Sequence, residues 1–138
     1  MNPVSVDLKD ILVADGVGVF AATTGWGIYL DQEPTSQEST QTAITIYNVG
    51  GDPDDTLNGI EVSDFVSQIR ARGTETGYAS AYAKMEEIVS SLNQLKDHIT
   101  GSTRYAVIYR SSTIRFLKRD DANLPIWVCD FAGLRTTE

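Results

Sequence analysis

Cysteine and histidine are almost missing from this 138-residue chain, each occurring once, as Cys129 and His98. One cysteine cannot close an internal disulfide, which is the usage expected of a chain folding in a reducing cytoplasm. One ligand of each kind cannot assemble a structural zinc site, which takes four nitrogen or sulfur donors. A hydrolytic triad needs a base beside its nucleophile. His98, in LKDHITG, has no Gly-x-Ser-x-Gly or comparable setting to supply a partner, and a solvated imidazole at a helix end is its expected role. No window approaches the run of about 18 apolar residues that a membrane helix takes. The opening MNPVSVDLKD lacks the basic stretch and apolar core of a secretory leader. No catalytic residue, cofactor, metal or membrane contact is therefore expected.

Bases are scarce in one half only. Residues 1–64 hold eleven acids against Lys9 alone, a net of −10; residues 65–138 hold eight acids and ten bases, a net of +2, and the two sum to −8. An acidic chain repels a nucleic-acid backbone, whose non-specific partners are rich in Lys and Arg. A molecule acidic on one side and basic on another can stack head-to-tail on its own copies or on different neighbours. The competing reading is an uneven, merely solvated surface.

What is present reads as one α+β domain spanning 1–138. Residues 4–15 form a short helix, with Ser5 as cap, Asp7 in the first turn, and Leu8, Ile11 and Leu12 on one face before Gly16 and Gly18 end it. Strands are expected at 25–30, 42–48, 64–72, 103–111, 113–120 and 126–134. The segment 31–41, polar and carrying Pro34, reads as an exposed loop. Between about Thr76 and Leu95, Tyr78, Ala81, Tyr82, Met85, Ile88, Val89, Leu92 and Leu95 make one apolar stripe at helical period. The expected order is α-β-β-β-α-β-β-β, one long amphipathic helix on a mostly antiparallel sheet.

The stretch ITIYNVGGDPDDTLNG (44–59) invites two ligand readings. A phosphate loop of the Walker type continues from its second glycine to Lys and Ser/Thr. Here Gly50 and Gly51 lead to Asp52, Pro53, Asp54 and Asp55, which repel an anion. A calcium loop of the EF-hand type has donors at positions one, three and five, glycine at six and glutamate at twelve. Counting from Asp52 gives Thr56, Leu57 and Ser63 at five, six and twelve. A looser cation contact from Asp52, Asp54, Asp55 and Glu61 stays open beside the plain reading of a soluble strand connection. The adjacent pairs Asp54–Asp55, Glu86–Glu87 and Asp120–Asp121 are weak signals of acid–base work, because catalytic carboxylates converge from different elements.

Taken in order, LKDILVADGVGVF, IYLDQEP, TIYNVGGDPDD, VSQIRARGTETGYASAYAKMEEIVSSL and IWVCDFAGLR resemble the tail-terminator (tail-completion) proteins of long-tailed bacteriophages, a group that includes chains known as minor capsid proteins. That resemblance implies a virion protein assembled in the host bacterial cytoplasm. It would form a homo-oligomeric ring, a hexamer in such proteins, on the head-proximal end of the tail tube. Its partners would be its own copies, the tail-tube protein and a head-completion (neck) protein, with phage DNA passing through the lumen without specific binding. Candidate contacts are Glu33 and Glu38 in the 31–41 loop, Asp52, Asp54, Asp55 and Glu61 in the 49–61 loop, and Arg110, Arg115, Lys118 and Arg119 in the late strands. Two other readings stay open: another head–tail joining protein, and a small ligand-binding α+β domain. An enzyme is the least supported.

Overall fold

The computed structural model describes residues 2–35, 42–50, 55–57 and 60–137, with the backbone alone at 55–57 and 60–62. Its elements follow as α1 (Val4–Ala14), β1 (Val19–Phe20), β2 (Gly27–Leu30), β3 (Ala43–Gly50), β4 (Asp55–Leu57), β5 (Ile60–Arg72), α2 (Tyr78–Leu92), β6 (Leu95–Thr100), β7 (Thr103–Arg110), β8 (Arg115–Arg119) and β9 (Pro125–Thr137). The strands join in one curled mixed sheet, in the order β1-β2-β3-β5-β9-β7-β6, with β4 added to β5 and β8 to β9.

The α+β class stands, with two corrections. The pairs β1/β2 and β2/β3 are parallel, so the sheet is mixed at that side although its other described pairs are antiparallel. Parallel neighbours require a crossover rather than a hairpin. The long polar segment after β2 provides one, so a stretch read as a plain loop also sets strand direction. Both expected helices are present, but the contrast of one long and one short is not: they are comparable, of 11 and 15 residues. The second stops at Leu92 because Asn93 is extended and Gln94 takes a left-handed φ of 59°. The Asn93 side chain accepts the Arg110 backbone N–H at 3.0 Å, tying the helix end to β7. Leu95 and His98 therefore belong to β6, a strand absent from the sequence reading, as β1 and β4 were.

The two helices form one layer over the sheet, α1 above β1, β2 and β3, and α2 above β5, β9 and β7. Leu8, Ile11 and Leu12 of α1 meet Ile28, Ile44, Ile46 and Ile69, while Met85, Ile88 and Leu92 of α2 complete the same core with Tyr105, Ile108 and Phe131. Each such side chain contributes roughly 1.5–3 kcal/mol when fully buried. Tyr78 and Tyr82, read from the sequence as part of the buried stripe, are instead 46% and 38% exposed at the helix's first turns.

The start of α1 is capped from outside. Ser5 is not the cap but lies buried within the helix, and Pro3 precedes it without a side-chain bond. The Ser5 N–H, one of the first-turn donors that a helix leaves unmatched, donates to Asn48 Oδ1 on β3 at 3.0 Å. Asn48 Nδ2 donates in turn to Ser5 Oγ at 2.8 Å and to Asp31 Oδ2 at 2.7 Å. One amide thus joins helix, strand and the start of the 31–41 segment.

Asp7 is fully buried, and the Tyr105 hydroxyl donates to its Oδ2 at 2.6 Å. Its Oδ1 has no hydrogen-bond partner. Burial pushes the Asp7 carboxyl above its ordinary range. The hydrogen bonds from Tyr105 and Asn2 and the charge of Arg135 pull it back, while Asp10 adds to the rise. The raised value means the folded state holds the proton more tightly than the unfolded one. Stability from this site is greatest below the ordinary carboxylate range and falls as pH rises through the folded value. Relative to wild type, Asp7→Asn should therefore gain stability as pH is raised from about 3.5 to 7, in urea unfolding across that range. Tyr105→Phe leaves the carboxyl without this donor and should cost about 1–3 kcal/mol, more at neutral than at acid pH.

Candidate functional site

The 31–41 segment is anchored, not simply exposed, where it leaves β2. Asp31 accepts from the Asn48 N–H at 2.9 Å, and Pro34 is buried. The Pro34 carbonyl accepts from Arg72 Nη1 at 2.6 Å, and the same guanidinium lies 3.9 Å from Asp120. Glu33 faces Arg70 at 3.5 Å, and Arg70 lies 4.9 Å above the Tyr47 ring. Glu33 is consequently occupied by an internal contact. Glu38, in the same segment, lies outside the described residues, as do Asp52 and Asp54.

Asp55 and Glu61 belong to strands instead of to one long loop. β4 and β5 pair with Asp55 opposite Val62 and Thr56 opposite Glu61, so much of the expected 49–61 connection is a short hairpin continuing β5. Among the described residues no group of three or more His, Cys, Asp or Glu side chains is placed to hold a metal ion.

The basic candidates gather at the opposite end of the sheet. All five residues of β8 are exposed. Arg115 pairs with Asp130 at 3.2 Å, and Asp130 also accepts from Gln68, whose Oε1 accepts from Arg70. A polar ladder therefore crosses the outer face of β5, β9 and β8. Arg119 donates to the carbonyls of Glu75 and Asn123 at 3.0 and 2.8 Å, closing the turn in which Asp120 Oδ1 accepts the N–H groups of Ala122 and Leu124. Lys118 and Arg110 are exposed and make no ion pair among the described residues.

Beside β8, on the helix side, sits a feature the sequence reading missed. Trp127 is ringed by Tyr78, Tyr82 and Phe116, with centroids 4.9, 4.9 and 5.4 Å away. Its indole N–H donates to the Tyr78 carbonyl at 2.9 Å. Three of these rings are 38–46% exposed, and Leu117, which the pairing with β9 skips as a bulge, is 40% exposed beside them. The available signal was Phe116–Leu117 inside an otherwise basic strand. A half-exposed aromatic cluster with a cationic rim is a protein-docking composition.

The single histidine and cysteine do not converge. His98 stands on β6 opposite Tyr105. Cys129 is buried on β9, its thiol donating to the Ser112 carbonyl at 3.5 Å and pushed up in pKa by burial. A shallow groove of about 540 Å³ lies between the end of α1 and the face of α2, lined by Asp15, Glu86 and Glu87 with small neighbours.

Over residues 9–134 the chain matches the family model described as bacteriophage tail terminator protein. No curated protein matches it by sequence. Among solved structures it is similar to a chain of the virion of a native gene transfer agent (GTA) particle, with a TM-score of 0.61 and 19% identity over 99% of this chain and 96% of that one. At that identity the likeness is one of fold.

The two kinds of cation separate in a charge-reversal experiment. Arg115→Glu places a second carboxylate against Asp130 and should cost about 1 kcal/mol in urea unfolding. Lys118→Glu meets no such neighbour and should stay within about 0.5 kcal/mol of wild type.

Proposed function

The chain belongs to the bacteriophage tail terminator family, whose members are structural proteins of the virion, and from that premise we propose that it caps a tail tube. In this reading copies of the chain form a ring, a hexamer, on the head-proximal end of the tube. One face matches the last tube ring. The other no longer offers what the next tube subunit binds, so polymerisation ends there and the exposed surface receives a head-completion protein. The mechanism is steric and electrostatic, and the chain works by binding. The family match across 9–134 carries the reading.

The charge distribution supports it. The net −10 of residues 1–64 supplies an acidic surface, and an acidic lumen lets DNA slide instead of sticking. Assembly takes place in the host cytoplasm and the product resides in the virion. A ring whose lumen is dominated by Arg and Lys would remove the sliding-surface part of the proposal.

Electron microscopy of particles lacking this protein tests the role directly. Overlong tails are expected; tails of normal length with a failed head joint would instead make it a neck protein. Reversing the charge of Asp54 and Asp55 should impair ring or neck assembly more than monomer stability, read by sizing and by thermal unfolding of the same double variant. Normal assembly and head joining of that variant would take the loop out of the interface.

A further inference from the structure

The pairings place one continuous row of side chains across six strands: Phe20 on β1, Ile28 on β2, Ile44 on β3, Ala71 on β5, Trp127 on β9 and Phe116 on β8. Ile28, Ile44 and Ala71, inside the row, are fully buried, whereas its two ends, Phe20 and Phe116, are 51% and 40% exposed. The row thus stops at both edges in a half-covered phenyl ring. Each has an exposed apolar neighbour, Val19 at 62% and Leu117 at 40%. Among the described residues no strand covers the far side of either β1 or β8. The β1 edge keeps backbone groups in reserve: Val19 and Ala21 donate inward to the Trp26 and Ile28 carbonyls, which turns the N–H and C=O of Phe20 outward.

The two edges also match in direction. β1 runs parallel to β2 and β3, β3 opposes β5, β5 opposes β9, and β9 opposes β8, so β1 and β8 run in opposite senses. Rotation about a ring axis preserves each strand's sense along that axis and keeps the helix side of the sheet facing the same way. β8 of one copy therefore meets β1 of the next antiparallel, with Phe116 and the neighbour's Phe20 on the same face. β1 lies under α1, whose Lys9 sits 4.8 Å over the Phe20 ring and pairs there with Asp10, so the charge beside this edge is already matched within the subunit.

We propose that the β8 edge of one copy docks on the β1 edge of a second copy, Phe116 against Phe20, extending the sheet from subunit to subunit. Such a contact is heterologous, joining two different surfaces, and so builds a ring where its rotation closes instead of a two-fold dimer. The inference rests on the ring reading and adds the surface that builds the ring.

Mixing complementary variants tests it. Phe20→Asp spoils one edge and Phe116→Asp the other, so each alone should be monomeric by light scattering while keeping a cooperative thermal transition. Mixed, they should form a heterodimer of about twice the 15.1 kDa subunit mass and nothing larger, because one intact pair of edges remains. As a second arm, the Phe20→Cys/Phe116→Cys double variant should give, on oxidation, a ladder at multiples of 15.1 kDa that neither single variant gives. Cross-linking by a single variant, or a wild-type oligomer that survives both aspartate substitutions and yields no ladder, would overturn this surface and leave the ring standing. A wild-type chain that stays monomeric even with its tube protein would overturn the ring and this surface together.

Discussion

The hydrogen bond from Tyr105 to Asp7 joins residues 98 positions apart and fixes the first helix to the last third of the chain. Much else depends on it. α2 covers only the β5, β9 and β7 side of the sheet, so the parallel strands β1, β2 and β3 owe their cover to α1. Without that cover Ile28, Ile44 and Ile46 would face water, and the crossover that makes these strands parallel would have nothing to close over. The carboxyl is costly to bury, and its second oxygen is left without a partner. The return is position: α1 has one seat on the sheet, set at its first turn by Asp7 and Asn48.

The polar side chains divide by what they already hold. Glu33, Arg70, Arg72, Arg115 and Arg119 spend their charge or their donors inside the molecule, anchoring a loop, a ladder and a turn. These contacts tie the start of the 31–41 segment and the 120–124 turn to the sheet. The surface left for partners is made mostly of shape and apolar area at two strand edges, with a few uncommitted charges nearby. That division fits a protein that recognises neighbours by docking, because exposed single ion pairs contribute little on their own.

Periodicity made the core legible. Leu8, Ile11 and Leu12, and Met85, Ile88 and Leu92, fall on the faces their spacing assigns, and β3, β5, β7 and β9 lie where β-formers alternate. Local pattern could not carry strand direction, which in β1–β3 depends on where a crossover returns the chain. It also missed β6, whose sequence LKDHIT has no alternation and is held by pairing with β7. Tyr78 and Tyr82 were placed on the right helix but assigned the wrong burial. Periodicity fixes which side of a helix faces the sheet, not where along the helix the sheet ends. Glu33 and Arg119 show the remaining limit, since a charged residue in a sequence does not reveal whether its partner is internal.

The pairing of β5 with β9 runs through eleven positions, from Val62 opposite Thr136 to Arg72 opposite Ile126, a strut of about 34 Å. β1 and β2, by contrast, share two. Pulled along its length, the strut loads all its backbone bonds side by side, so they yield together or not at all. Pulled sideways at β1, the sheet peels one rung at a time. The molecule is therefore mechanically anisotropic: stiff along the β5–β9 strut toward its aromatic end, and compliant at the β1 edge.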